Sequence, residues 1–209
     1  MTPVWQEDLF LSDASWVVHK HPSKPWAVLL VDFASACNFV RIHHSRAPRV
    51  QNGPWMYSFG AFLEDEMCGS ALWHNCSARG LPDEWRELRR MAMSDEAPRN
   101  MASFFLGAMC RWFRENTDVP MLISYQDVHV HAGTIYKATN WIPAHVTRPR
   151  MRDREPNRVG TERKYRKDAN GAGVASAAKI RWQMPLGGQA VASVTPKEIL
   201  AASQAKATR

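Results

Sequence analysis

The chain has 209 residues, 27 of them Lys or Arg against 20 Asp or Glu, for a formal charge of +7 at pH 7. The excess lies wholly in the last third: residues 1–143 carry 13 basic and 15 acidic side chains, net −2, and residues 144–209 carry 14 and 5, net +9. That distribution excludes a uniformly basic, histone-like polymer, and 45% hydrophobic residues with nine Trp exclude disorder throughout. What is expected is a near-neutral globular domain feeding a basic segment that meets a polyanion.

No run approaches 18 apolar residues, and the opening MTPVWQEDLFLSD lacks a basic stretch followed by an apolar one, so a cytosolic protein with no membrane partner is expected. Cys37, Cys68, Cys76 and Cys110 form no CxxC pair, which favours buried free thiols over a zinc knuckle or a disulfide framework.

In chain order, Trp26 to Val31 (WAVLLV) is expected to be a buried strand. Asp32 then caps a helix to about Ile42 with Phe33, Ala36, Cys37 and Val40 at helical spacing. The helix ends at His43-His44-Ser45, and residues 46–55 form a loop. Met56 to Leu63 and Met67 to His74 predict two strands joined by the acidic turn Glu64-Asp65-Glu66, and Leu88 to Met93 a further strand. Asn100 to Arg114 predicts a long helix with Phe104, Phe105, Ala108, Met109, Trp112 and Phe113 on one face. MLISY after Pro120 predicts a buried strand, Gly133 to Asn140 a short helix, and Trp141 to Val146 and Lys179 to Leu186 the last two strands. Residues 187–209 contain no aromatic residue and are expected to be a mobile tail, with at most a transient helix in ILAASQAKA.

A hairpin, a strand, a long helix, a strand, a short helix and a strand is the order of the GNAT acyltransferase fold. The stretches LRRMAMSDEAPRN at 88–100, SYQD at 124–127 and HAGTIYKATNW at 131–141 resemble the Mom family of phage DNA-modification proteins. The HHS triplet at 43–45 is similar to that family's HYS, and KIRWQMPL to its closing strand. The resemblance covers residues 26–186. It implies an α/β fold with a GNAT-like mixed central sheet flanked by helices, and a single domain over 1–186. A basic DNA-binding insertion at 147–178 would precede the last strand, and the mobile tail at 187–209 would follow it.

The function it implies is conversion of adenine in double-stranded phage DNA to its N6-carbamoylmethyl (acetamido) form. That change hides the genome from host restriction, and the protein would act in the host cytoplasm. An ordinary acetyl-CoA-dependent GNAT acetyltransferase and a DNA-binding module with a decayed acyltransferase site are the competing readings. A second copy of the chain, as a homodimer, is a further candidate partner.

Three components follow. The first is a donor site. GNAT proteins carry Arg/Gln-x-x-Gly-x-Gly/Ala before the long helix, where backbone N–H groups and the helix dipole meet a pyrophosphate. The matching residues are Arg99-Asn100-Met101-Ala102-Ser103-Phe104. Arg99 is retained, but a bulky Phe104 at a glycine-type position is expected to hinder approach to phosphates, which disfavours acetyl-CoA. Arg99, Asn100, Ser103 and Ser124 are then candidates for holding an anionic or carboxamide-bearing donor, with plain helix capping as the alternative.

The second component is the reacting centre. Adenine N6 is a poor nucleophile, so transfer needs a base, an acid for the leaving group, or a metal. The resemblance makes Tyr136 the general acid. Asp127, at the carboxyl end of its strand, and His43, at the end of the first helix, are candidates for base and orienting partner, or equally for two ligands of an iron site. His129 and His131 form an HxH pair that a strand would turn to one face. Arg90 is expected to position a phosphate or to pair with Glu87 or Asp95.

The third component is DNA. Arg148, Arg150, Arg152, Arg154, Arg158, Arg163, Lys164, Arg166 and Lys167 stand against Asp153, Glu155 and Glu162. Alternate arginines from 148 to 154 would line one side of an extended segment and track phosphates. Six such contacts predict a log K against log salt slope of about −5. Tyr165 and Trp55 are candidates to stack on a flipped adenine.

Overall fold

The computed structural model describes residues 17–44, 55–78, 80–147 and 178–204. In chain order these are β1 (Val17–Lys20), β2 (Trp26–Leu30), α1 (Phe33–His43), β3 (Tyr57–Leu63), β4 (Glu66–Asn75), β5 (Arg86–Met93), α2 (Met101–Asn116), β6 (Met121–Asp127), α3 (Thr134–Ala138), β7 (Ile142–Thr147), β8 (Lys179–Pro185) and α4 (Pro196–Gln204). The strands form one eight-stranded mixed sheet in the order β1-β2-β3-β4-β5-β6-β8-β7. The β5–β6 pair is parallel, with Leu88 opposite Ser124. The β1–β2, β2–β3, β3–β4, β6–β8 and β7–β8 pairs are antiparallel.

The chain divides into two compact units, residues 1–74 with 90–118 and residues 75–89 with 119–209. In the first, Asp32 caps α1 as expected, its carboxylate accepting the Ser35 N–H at 2.8 Å. The helix buries Ala36, Cys37, Phe39 and Val40, whereas Phe33, expected on that face, is 43% exposed. The β3–β4 hairpin turns through Glu64, which has φ +54°. Phe59, Trp73, Phe105 and Phe113 are sealed from solvent. Side chains of this size each contribute about 1.5–3 kcal/mol on full burial. Strand β1 was not anticipated from the sequence.

In the second unit β8 lies between β6 and β7, and the order follows burial. The sequence of β8 alternates, with Ile180 and Trp182 buried, and it pairs along its full length with β6, while β7 is only half-buried. The expectation of an unpacked tail is corrected: residues 196–204 form α4, which packs on β7. Its start is fixed by a reciprocal cap, the Thr195 N–H donating to the Glu198 carboxylate at 2.7 Å and the Glu198 N–H to the Thr195 hydroxyl at 3.3 Å. Val194 N–H bonds the Pro143 carbonyl at 2.7 Å, and Ala202 is buried.

Candidate functional site

Strand β6 alternates, so Ser124 and Gln126 project to one face and Tyr125 and Asp127 to the other. Both Ser124 and Gln126 are buried, and each is satisfied by a definite partner. The Ser124 hydroxyl donates to the Leu88 carbonyl at 3.2 Å and lies 2.9 Å from the Tyr136 hydroxyl. Since serine has one hydrogen, Tyr136 is the donor to Ser124. The phenol ring stacks on Trp182 at 5.2 Å and 14° and meets Trp141 edge-on at 5.6 Å. Burial raises the Tyr136 pKa above its ordinary value, with the Ser124 contact opposing. The group is therefore held as a neutral phenol carrying its proton. The indole nitrogen of the neighbouring Trp141 is buried and without a hydrogen-bond partner among the described residues.

Gln126 clamps the chain beyond β6. Its oxygen accepts from the Trp182 indole at 2.7 Å, and its nitrogen donates to the His131 carbonyl. Gly133, the N-cap of α3, has φ +71°, and a Cβ there would come within 2.5 Å of the Gln126 oxygen and 2.9 Å of the Trp182 ring. Only glycine satisfies both conditions. Gln126, Trp182 and Gly133 were not singled out from sequence. The available signal was the glutamine in the strand MLISYQD, since a buried amide implies a network.

Asp127 ends β6 as anticipated. Its carboxylate accepts the His129 N–H at 3.0 Å, and its carbonyl accepts from Val130 and His131 at 3.2 and 3.1 Å. These bonds fold 128–130 into a turn. The expectation that His129 and His131 share a strand face is corrected: both are exposed beyond the strand end.

The other candidates lie in the first unit. His43 is exposed at the end of α1, its ring 4.3 Å from that of Phe39. Glu96 is held below the ordinary carboxylate range by its own backbone N–H and the Ser94 hydroxyl, with the charge of nearby His43 adding to them. His43 thus neighbours the segment leading to α2. There Asn100 is the N-cap of α2 in a left-handed conformation, φ +71°, and makes no side-chain cap bond. Capping therefore does not consume its amide. Arg99 is exposed, and the Ser103 hydroxyl donates to the Asn100 carbonyl at 2.9 Å. Phe104 departs from expectation: its ring packs against His19, His21 and Trp26 at 5.3–5.6 Å, so it is turned toward β1 and β2.

Arg89 pairs with Glu87, at 2.8 Å. The Trp55 ring lies tilted against His74 at 5.5 Å and packs on the core. Cys37, Cys68 and Cys110 are buried and Cys76 half-buried, all as free thiols. Burial foremost, then Glu87, pushes Cys76 up to about 12. Among the described residues no three or more His, Cys, Asp or Glu are grouped to hold a metal. None of the described helices is long and apolar enough to cross a membrane.

Arg148, Arg150, Arg152, Arg154, Arg158, Arg163, Lys164, Tyr165, Arg166 and Lys167 lie outside the described residues. The roots of their segment do not. Thr147 and Lys179 are cross-strand partners, with the Lys179 N–H donating to the Thr147 hydroxyl at 3.0 Å. Lys179 is also paired with Asp127, and Val128 N–H meets the Ala178 carbonyl at 3.4 Å. The basic segment leaves and re-enters the sheet beside the carboxyl end of β6.

The resemblance noted in sequence is borne out by a family model: the one described as the Mom protein family matches residues 25–184. No curated protein matches. Among solved structures, the ribosomal-protein-S18-alanine N-acetyltransferase of Escherichia coli is 12% identical with a TM-score of 0.52, over 79% of this chain and 96% of that one. The ribosomal-protein-S5-alanine acetyltransferase of Vibrio fischeri is 7% identical at 0.52, over 80% and 97%. A GNAT family acetyltransferase from Elizabethkingia anophelis, solved with acetyl-CoA bound, is 10% identical at 0.53, over 77% and 98%. At these identities the likeness is one of fold, and the fold is that of the GNAT acetyltransferases.

Proposed function

The chain belongs to the Mom protein family, and on that premise we propose that it is a transferase that modifies adenine N6 in double-stranded DNA, adding a carbamoylmethyl (acetamido) group. Its role is to shield phage DNA from host restriction. The observation that carries this reading is the rooting of the arginine-rich segment beside Asp127, on the strand that also bears Ser124 under Tyr136. A polyanion held by that segment would lie at the carboxyl end of β6, the strand against which Tyr136 is held.

Transfer forms a bond from N6 to the donor carbon and breaks the bond to the leaving group. Tyr136 protonates the leaving group, its raised pKa keeping the proton available at neutral pH. Asp127, at the end of β6, takes the proton that N6 loses. Trp182 and Trp141 fix the phenol ring and keep water from it.

The residues present fit an anionic or carboxamide-bearing donor. Asn100 makes no side-chain cap at the start of α2, Arg99 and Ser103 flank it, and Phe104 is turned aside. Among the described residues no three or more His, Cys, Asp or Glu are grouped to hold a metal, and no step is assigned to iron.

Mass analysis of nucleosides from cells expressing the protein tests the reading. The wild type yields N6-modified adenine, and Tyr136→Phe lowers the yield by about two to four orders of magnitude. Unmodified adenine in cells holding soluble wild-type protein overturns it.

A further inference from the structure

The face of β6 opposite the Tyr136 network carries a polar row that the proposed chemistry does not use. Tyr125 is the cross-strand partner of Arg181, and Arg181 of His145. Opposed residues of antiparallel strands project from the same face, about 5 Å apart, so phenol, guanidinium and imidazole form a line across β6, β8 and β7. His145 is exposed and the other two are half-buried.

The Arg181 guanidinium stands against the Tyr125 hydroxyl, a neutral partner, and its Nε is buried without a hydrogen-bond partner among the described residues. The Glu87 carboxylate, whose charge reaches Tyr125, takes Arg89 at 2.8 Å on one oxygen and the Ser77 N–H at 3.0 Å on the other. A guanidinium braced by a phenol, half out of water and in no ion pair with another described residue, suits an external anion with oxygens in a plane.

Position selects which anion. Arg181 and His145 each lie two residues from a root of the basic segment, Lys179 on one side and Thr147 on the other. Thr147 and Lys179, which flank that segment, therefore stand next to this row. We propose that Arg181 and His145 seat one backbone phosphate of the DNA, Arg181 supplying the charge, His145 a second N–H, and Tyr125 the brace. The inference rests on DNA being the substrate and adds to it where the duplex is anchored. As a contact to backbone alone, it carries no base preference.

Binding of the full-length protein to a fluorescent duplex oligonucleotide, measured by anisotropy across a salt series, tests it. Arg181→Met is expected to weaken binding five- to tenfold and to make the slope of log K against log salt shallower by about 0.9, one phosphate. His145→Gln, at an exposed position that leaves packing intact, is expected to weaken binding two- to threefold. Arg181→Lys should retain the slope and lose part of the affinity. Wild-type affinity and slope in both Arg181→Met and His145→Gln overturn the phosphate seat while leaving DNA as substrate. Failure of the wild type to bind duplex at any salt overturns the DNA reading, and the seat with it.

Discussion

In the first unit Phe59, Trp73, Phe105 and Phe113 are sealed with Leu29, Met101 and Met109, and the buried serines Ser58 and Ser70 close on the carbonyls of Val31 and Ala36. In the second, Glu87, Ser124, Gln126 and Gln183 share the interior with Tyr136, Trp141 and Trp182. The three buried side-chain nitrogens without a partner among the described residues, on Arg86, Trp141 and Arg181, all belong to the second unit. Apolar packing asks only for volume, whereas each buried polar group needs a placed partner or leaves a cost of about 1–3 kcal/mol. The first unit is therefore limited by packing and the second by hydrogen-bond geometry and backbone conformation. Unspent donors accumulate where a ligand is expected to complete the set.

The largest effect is expected where packing alone is at stake. Phe113 is fully buried against Trp73, Tyr57 and Phe59, so Phe113→Ala should cost about 3–5 kcal/mol. A volume-sparing Phe113→Leu should cost about 1.5 kcal/mol or less. Urea unfolding midpoints at unchanged slope read both. A cheap alanine would mean that the first unit is not packing-limited, and the contrast between the units would collapse.

Next comes Gly133→Ala, a change of one methyl group. Its φ of +71° and the 2.5 Å approach to the Gln126 oxygen together predict a loss of about 2–4 kcal/mol. Amide exchange should quicken across β6 and α3 first. An alanine variant with wild-type exchange would show that the turn is looser than its geometry implies.

Much of this was legible in the sequence, and the exceptions have physical causes. WAVLLV and the face of α2 could be found because their periods are those of a buried strand and an amphipathic helix. Strand β1 could not: its four residues, VVHK, are too few to show a period. Helix α4 was hidden by polar composition, although Thr195 and Glu198 spell a capping box. Tyr136, Ser124 and Asp127 were legible as site candidates, but the Tyr136–Ser124 bond joins residues of two elements and is visible only once β6 and α3 are in place. The HxH reading failed because the Asp127 carboxylate bonds the His129 N–H and ends the strand there.

Tyr136→Phe tests the polar side of the contrast more gently. The ring stack survives and one hydrogen bond is lost, for about 1.5 kcal/mol. The sign of its pH dependence is diagnostic. Because burial raises the folded pKa above the ordinary value of 10.0, the folded state holds this proton more tightly. The stabilisation is complete below that pH and is lost as pH rises through the folded value. Alkaline melts of the wild type should therefore fall toward those of the phenylalanine variant, and parallel curves would show that Tyr136 is not buried as a phenol.

The smallest effect is the N-cap of α1, and it runs the opposite way with pH. Burial alone would raise the Asp32 pKa, but hydrogen bonds from the Ser35 hydroxyl and from the backbone N–H groups of Ser35 and Ala34 outweigh it and hold the carboxyl below 3.8. The contribution is present above the ordinary value and disappears as pH falls through the lower folded one. Asp32→Ala should cost about 1 kcal/mol at neutral pH and little at pH 2, while Asp32→Asn, which keeps a capping oxygen, should recover most of the loss at both. If Asp32→Asn were as damaging as alanine, the charge and not the hydrogen bond would hold the helix start. The first unit would then depend on electrostatics as well as on packing.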